Sequence, residues 1–151
     1  MNDKLTSFCG LYCLDCIPSN KELFSLIEKL DNILYKLQFD EYAKLKSRDH
    51  PKLLQYHTFL EVLKEIRFLR CPSPCRLGGG NPECKVRLCC QNKKYIGCWE
   101  CNDRYVCSLL NPLKKVHPNL FFHLDLVRDC GLANWEQNRK VHYKWQQENK
   151  V

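Results

Sequence analysis

Eight of the chain's twelve cysteines fall within residues 71–107, CPSPCRLGGGNPECKVRLCCQNKKYIGCWECNDRYVC. A stretch with that many thiols and so few large apolar side chains has no core of its own to fold around. Most of its cysteines come as pairs with two to four residues between them, Cys71/Cys75, Cys84/Cys89 and Cys98/Cys101, with Cys107 following. Such spacing lets two thiolates of one short turn face a single ion, and four close a tetrahedral site. The run Gly78-Gly79-Gly80 ahead of Asn81-Pro82 supplies a tight, irregular connection between the first two pairs. The stretch therefore reads as a metal-organised module.

A second cluster, Cys9-x3-Cys13-x2-Cys16, lies near the N-terminus in SFCGLYCLDC. Three thiolates leave one coordination position, which is either filled by a cysteine from 71–107, the favoured case, or kept as an exchangeable site. The same spacing holds the open-iron cluster of radical S-adenosylmethionine enzymes, but this chain lacks the length and strand–helix alternation of their barrel. Disulfides are the competing explanation. The opening MNDKLTSFCGLYC has no basic region followed by a long apolar run, so the expectation is a cytoplasmic, reduced protein whose thiols bind metal. No apolar run reaches the length of a membrane span.

The formal charge is +7. Lysine and arginine outnumber aspartate and glutamate by eight to three in residues 71–115, and by only one in residues 1–70 and in residues 116–151. Each four-thiolate zinc site carries a charge of about −2, so the basic excess balances thiolates and argues little for a phosphate-binding face.

Around these clusters the pattern is helical. Leu23, Leu26, Ile27, Leu30, Ile33, Leu34 and Leu37 recur at three- and four-residue steps, predicting a helix over 20–38 capped by Ser19 or Asn20. A short helix or a helical turn is expected over 39–48, a long helix from Asp49-His50-Pro51 to about 69, a short one from Pro82-Glu83 to about 94, and another from about Asp103 to Leu110. Pro118 is read as opening a helix that stops at Gly131, and 132–149 as a final helix anchored by Trp135 and Trp145. The hairpin formed by the first helices would bring Cys16 and Cys71 together. The fold class is thus mainly α: one small helical domain, 1–151, with helical parts at about 19–70 and 116–149 and an irregular, cysteine-rich, metal-stapled lobe of 9–16 plus 71–107. His50 and His57 read as surface or satisfied core residues rather than ligands. Cys90, next to Cys89, and Cys130 read as core thiols.

The series CGLYCLDC, CPSPC, CKVRLC, GCWEC, Cys107 and then Gly131-Leu132 with Trp135 resembles a widespread bacterial and archaeal cysteine-rich family of unknown function. Its members open with Cys-Gly-Leu-x-Cys-x-x-Cys, continue with a central series of cysteine pairs, and are regarded as metal-binding. Tyr105-Val106 stands where members commonly have Phe-Pro. The resemblance implies Cys9, Cys13, Cys16, Cys71, Cys75, Cys84, Cys89, Cys98, Cys101 and Cys107 as ligands, and leaves Cys90 and Cys130 outside the set.

Three functions fit these residues. The favoured one is a zinc protein with two structural, cysteine-ligated ions that acts as an interaction or adaptor module for another protein. An iron–sulfur protein in electron transfer or cluster handling is the alternative, since those clusters also take four thiolates. The third is a zinc-knuckle-like nucleic-acid binder using Tyr95, Trp99, Tyr105, Lys93, Lys94 and Arg104. No zinc-protease helix, phosphate-binding loop or nucleophile elbow is present, so an enzyme is disfavoured.

Overall fold

A computed structural model of the chain describes residues 3–146. The described residues are mainly helical, with six α-helices, many short 3-10 turns and a single isolated antiparallel bridge, Thr6 to Tyr12. The chain divides into two compact units: residues 20–70 form one, and the flanking residues up to Ser19 and from Cys71 onward form the other. Residues 116–146 therefore belong with the cysteine stretches and not with the helices of 20–70.

In the 20–70 unit, Asn20 caps α1 (Lys21–Lys36), its Oδ1 accepting the Leu23 N–H at 2.9 Å. The apolar stripe of α1 is buried only at Phe24 and Ile27, and Leu26, Ile33 and Leu37 stay exposed. Gln38, in the left-handed region at φ 48°, turns the chain into α2 (Phe39–Lys46). The expected long helix from Asp49 is instead a 3-10 turn, Pro51–Gln55, followed by α3 (Tyr56–Phe68), and neither Asp49 nor His50 caps it. Phe39 and Tyr56 pack ring to ring at 5.2 Å, and Arg67–Asp31 and Arg70–Glu28 tie α3 and its end to α1. Those ion pairs are exposed and are worth at most about 1 kcal/mol each.

The other unit contains α4 (Lys85–Asn92), the four-residue α5 (Asn111–Lys114) and α6 (Leu120–Cys130), which ends at Gly131 with φ +78°. Cys71 N–H bonds the Pro18 carbonyl at 2.8 Å, so Cys16 and Cys71 do lie on adjoining stretches. Leu120, His123, Leu124 and Val127 form the buried face of α6 at helical spacing. Against them pack Trp99, Leu110, Val86 and Trp135. Gly10, at φ +78°, presses on Leu124: a Cβ there would stand 2.7 Å from a leucine methyl.

Trp135 is fully buried, donates from Nε1 to Thr6 Oγ1 at 2.9 Å, and meets Tyr12 and His123 edge-on. Trp135→Phe removes that hydrogen bond and part of the ring, and should cost about 2 kcal/mol in denaturant unfolding. An unchanged midpoint would show that this residue does not hold the core. Trp145, by contrast, is half exposed and stacks on Tyr143.

Two expected helices are absent. Residues 103–110 form two 3-10 turns with Cys107 extended between them (φ −68°, ψ 116°). Residues 132–146 hold only the turns Trp135–Asn138 and Lys144–Gln146, broken by extended Arg139. Positions 147–149 of that expected helix lie outside the described residues.

Candidate metal centre

The two Cys-x2-Cys segments fold alike. Cys13–Asp15 and Cys98–Glu100 are 3-10 turns flanked on both sides by extended residues, closed by the N–H of Cys16 to the Cys13 carbonyl at 3.2 Å and of Cys101 to the Cys98 carbonyl at 3.1 Å. Cys13 and Cys16 are within electrostatic reach of one another, and Cys98 and Cys101 line one cavity. A third turn, Cys75–Leu77, ends at Gly78 with φ +91°. In the loop that follows, Gly80 N–H donates to Cys71 Sγ at 3.1 Å. Gly79 is obligatory, because a Cβ there would fall 1.5 Å from the Ser73 carbonyl oxygen and 3.0 Å from Cys71 Sγ. The glycine run thus wraps the Cys71 sulfur and offers it a backbone donor.

Two gatherings result. Cys13 is close enough to Cys16, Cys71 and Cys75 for their charges to interact, as is Cys16 to Cys71, and a backbone hydrogen bond from Cys75 reaches the Cys13 sulfur. Cys89, Cys90, Cys98, Cys101 and Cys107 line a small cavity of about 20 Å³, and Cys90 and Cys98 approach to 3.6 Å between sulfurs. Cys9 lies between, within electrostatic reach of Cys75 and Cys84 and of Cys98. Its loop is joined to the second gathering by the Cys98 N–H, which donates to the Phe8 carbonyl at 2.7 Å. Cys84 occupies the N-cap position of α4, at the positive end of the helix. Cys130 is separate, its thiol donating to the Leu126 carbonyl.

Burial pushes the Cys9 thiol up to about 12 and raises Cys13 and Cys16 as well. In the Cys90–Cys98 pair the shared hydrogen bond raises Cys98, with burial adding to it, and lowers Cys90. The raised thiols, Cys9, Cys13, Cys16 and Cys98, stay protonated unless a cation replaces the proton, and a coordinating thiol is deprotonated outright. The donor chemistry fits zinc or an iron–sulfur cluster: soft sulfur ligands, backbone N–H groups on sulfur, and arginines turned inward. Among the described residues, no three histidine, cysteine, aspartate or glutamate side chains converge as a ready-made ion site. The sulfurs are gathered, not closed around a point.

Three arginines of the basic stretch point inward. Arg76 donates to the Thr6 and Ile96 carbonyls, lies over the Phe8 and Trp99 rings, and is within electrostatic reach of Cys13, Cys75 and Cys90, so it stands between the two gatherings. Arg87 is buried and Arg104 pairs with Asp125. Of the six residues considered for a nucleic-acid surface, Trp99 and Arg104 are therefore buried.

A family model described as Protein of unknown function (DUF3795) matches residues 5–112. The chain belongs to this family. The matched span takes in the ten cysteines from Cys9 to Cys107 that were singled out by spacing, together with Cys90. No curated protein and no solved structure matches the chain.

Beyond the family span lie three buried histidines that no spacing pattern flags. His117 Nδ1–H donates to the His142 carbonyl at 2.8 Å, and the two rings stand 4.5 Å apart. His123 Nε2 accepts the Lys140 N–H at 3.0 Å, which places the proton on a buried Nδ1 that has no hydrogen-bond partner among the described residues. Tyr143, packed on His117 and His142, shares a hydrogen bond with Cys16. Burial pushes His123 and His142 down to about 4. Between the ordinary histidine value of about 6.5 and that lowered value, the unfolded chain takes up protons the folded one refuses. Stability is then complete above pH ~6.5 and falls as the pH drops, by about 2 kcal/mol per histidine at pH ~5. His123→Gln should remove its share of this loss in denaturant titrations at the two pH values. A wild-type stability that is flat over that range would contradict the assignment.

Proposed function

We propose that this protein binds zinc through structural, all-cysteine sites and serves as an interaction module rather than an enzyme. The observation that carries the reading is the pair of matching Cys-x2-Cys turns, each facing further cysteines of the same unit. Two sites of four thiolates account for most of the cysteines and would hold about two ions. Closed sites of this kind leave no open position for chemistry and act by holding a fold together. The unit of residues 20–70 supplies the protein-binding surface in this reading, with Leu26, Ile33, Leu37 and Val62 exposed at its helices. No helix among the described residues is long and apolar enough to cross a membrane.

A strong chelator tests the structural role. Removing the metal under reducing conditions should lower the thermal midpoint by more than ~10 °C, because several kcal/mol of folding free energy leave with the ions. Metal that comes off without changing the midpoint would mean that the sites are not structural.

A further inference from the structure

We propose that Cys90, and not Cys89, is the ligand that α4 supplies to the second site, where it joins Cys98, Cys101 and Cys107; this rests on the zinc reading above. The sequence pattern favours Cys89, which completes the Cys84/Cys89 pair, and sets Cys90 aside. The geometry favours the other. Cys90 Sγ stands 3.6 Å from Cys98 Sγ. In a tetrahedral site with metal–sulfur bonds of about 2.3 Å, neighbouring sulfurs are separated by about 3.8 Å. The pair is thus already spaced as one edge of such a tetrahedron, and far outside the length of a disulfide bond.

The helix explains which cysteine faces inward. Val86, Arg87 and Cys90 form the buried face of α4, at offsets of four and three residues from Cys90. Cys89 is a hundred degrees around that helix and only half-buried. Both cysteines border the cavity of about 20 Å³ that Cys98, Cys101 and Cys107 also line. That volume admits about one water-sized sphere, which suits a single ion and not two. Cysteine turns about one side-chain bond, so Cys101 and Cys107 on the wall can swing their sulfurs toward a shared centre. Adjacent cysteines on one helix stand about a hundred degrees apart and seldom ligate one ion together, so assigning Cys90 displaces Cys89 from this site. Arg76 and Lys93 are within electrostatic reach of Cys90 and favour its thiolate, with the Glu100 carboxylate opposing them.

Serine variants of the full chain, purified anaerobically, test the assignment by metal stoichiometry. Cys90→Ser should carry one ion fewer than the wild type, and Cys89→Ser should keep the wild-type complement. The reverse pattern, or full complement in both, overturns the assignment while leaving the zinc reading standing. A wild-type protein without metal defeats the zinc reading itself. Because Cys90→Ser places a hydroxyl in the core and can fail to fold, the wild type loaded with cadmium-113 gives an independent answer. Correlation of the metal nucleus with the β-protons of Cys90 supports the assignment, and correlation with those of Cys89 overturns it.

Discussion

Replacing Arg87 by methionine is expected to destabilise the cysteine-bearing unit by about 3–5 kcal/mol. The Arg87 guanidinium is buried and donates to four backbone carbonyls of the glycine-rich loop: Cys75 at 3.1 Å and Gly79 at 2.9 Å from one nitrogen, Asn81 at 2.8 Å and Pro82 at 2.9 Å from the other. Each hydrogen bond to a charged group is worth about 1.5–3 kcal/mol, and losing the donor leaves carbonyls without a partner. The sum is not additive, since part of the loop is exposed and water can reach some of these oxygens. Arg87→Lys should recover little of the loss, because a single ammonium cannot reproduce a planar fork reaching four acceptors. Urea unfolding gives the stability change, and amide exchange in residues 75–82 locates it. A loss under about 1 kcal/mol would mean that the loop is held by something else. Since this loop carries Cys75 and wraps Cys71, the same variants should also weaken metal retention.

Cys98→Ser is expected to have the largest effect of any single substitution. Cys98 takes part in the Cys90 contact, opens the second Cys-x2-Cys turn, and anchors the Cys9 loop through its own N–H. Serine keeps the size but is a poor ligand for zinc. A structural zinc site contributes about 10–16 kcal/mol in small metal-dependent domains, comparable to or larger than the whole stability of most domains. The variant should therefore carry fewer ions and show loss of tertiary near-ultraviolet signal from Trp99 and Trp135. A folded Cys98→Ser protein with full metal content would remove Cys98 from the ligand set.

Much of the local structure was legible in the sequence, for reasons that can be stated residue by residue. Asn20 caps α1 because its short amide reaches the free N–H of Leu23, and Gly131 ends α6 because the chain there needs a positive φ. The Cys-x2-Cys spacing suits two ligands on one short turn, and both copies make such a turn. Of the basic residues among the cysteines, Arg87 is buried on the carbonyls of the glycine-rich loop, Arg104 is buried against Asp125, and Arg76 lies within electrostatic reach of Cys13, Cys75 and Cys90.

What the sequence did not disclose is long-range. Residues 103–110 carry a helical pattern, but Cys107 is held extended beside the cavity it lines, which breaks the segment into two turns. Residues 132–146 pack Trp135, Arg139 and His142 individually against other parts of their unit, with Arg139 paired to Asp15 and Trp135 bonded to Thr6, so no continuous helix survives. His117 and His123 lie six residues apart, and the distant His142 is brought beside them by the turns after α6. The ranking of Cys89 over Cys90 rests on spacing and on the family resemblance, neither of which carries the register of α4, which puts Cys90 on the buried face.

Metal analysis of the anaerobically purified protein, by native mass spectrometry together with an absorption spectrum, tests the central claim most directly. About two zinc ions per chain with no visible absorption is the expected result for closed thiolate sites. Iron and sulfide with a broad band near ~400 nm would make the protein an iron–sulfur carrier instead. A folded chain containing no metal would contradict the claim that these cysteines form a metal centre.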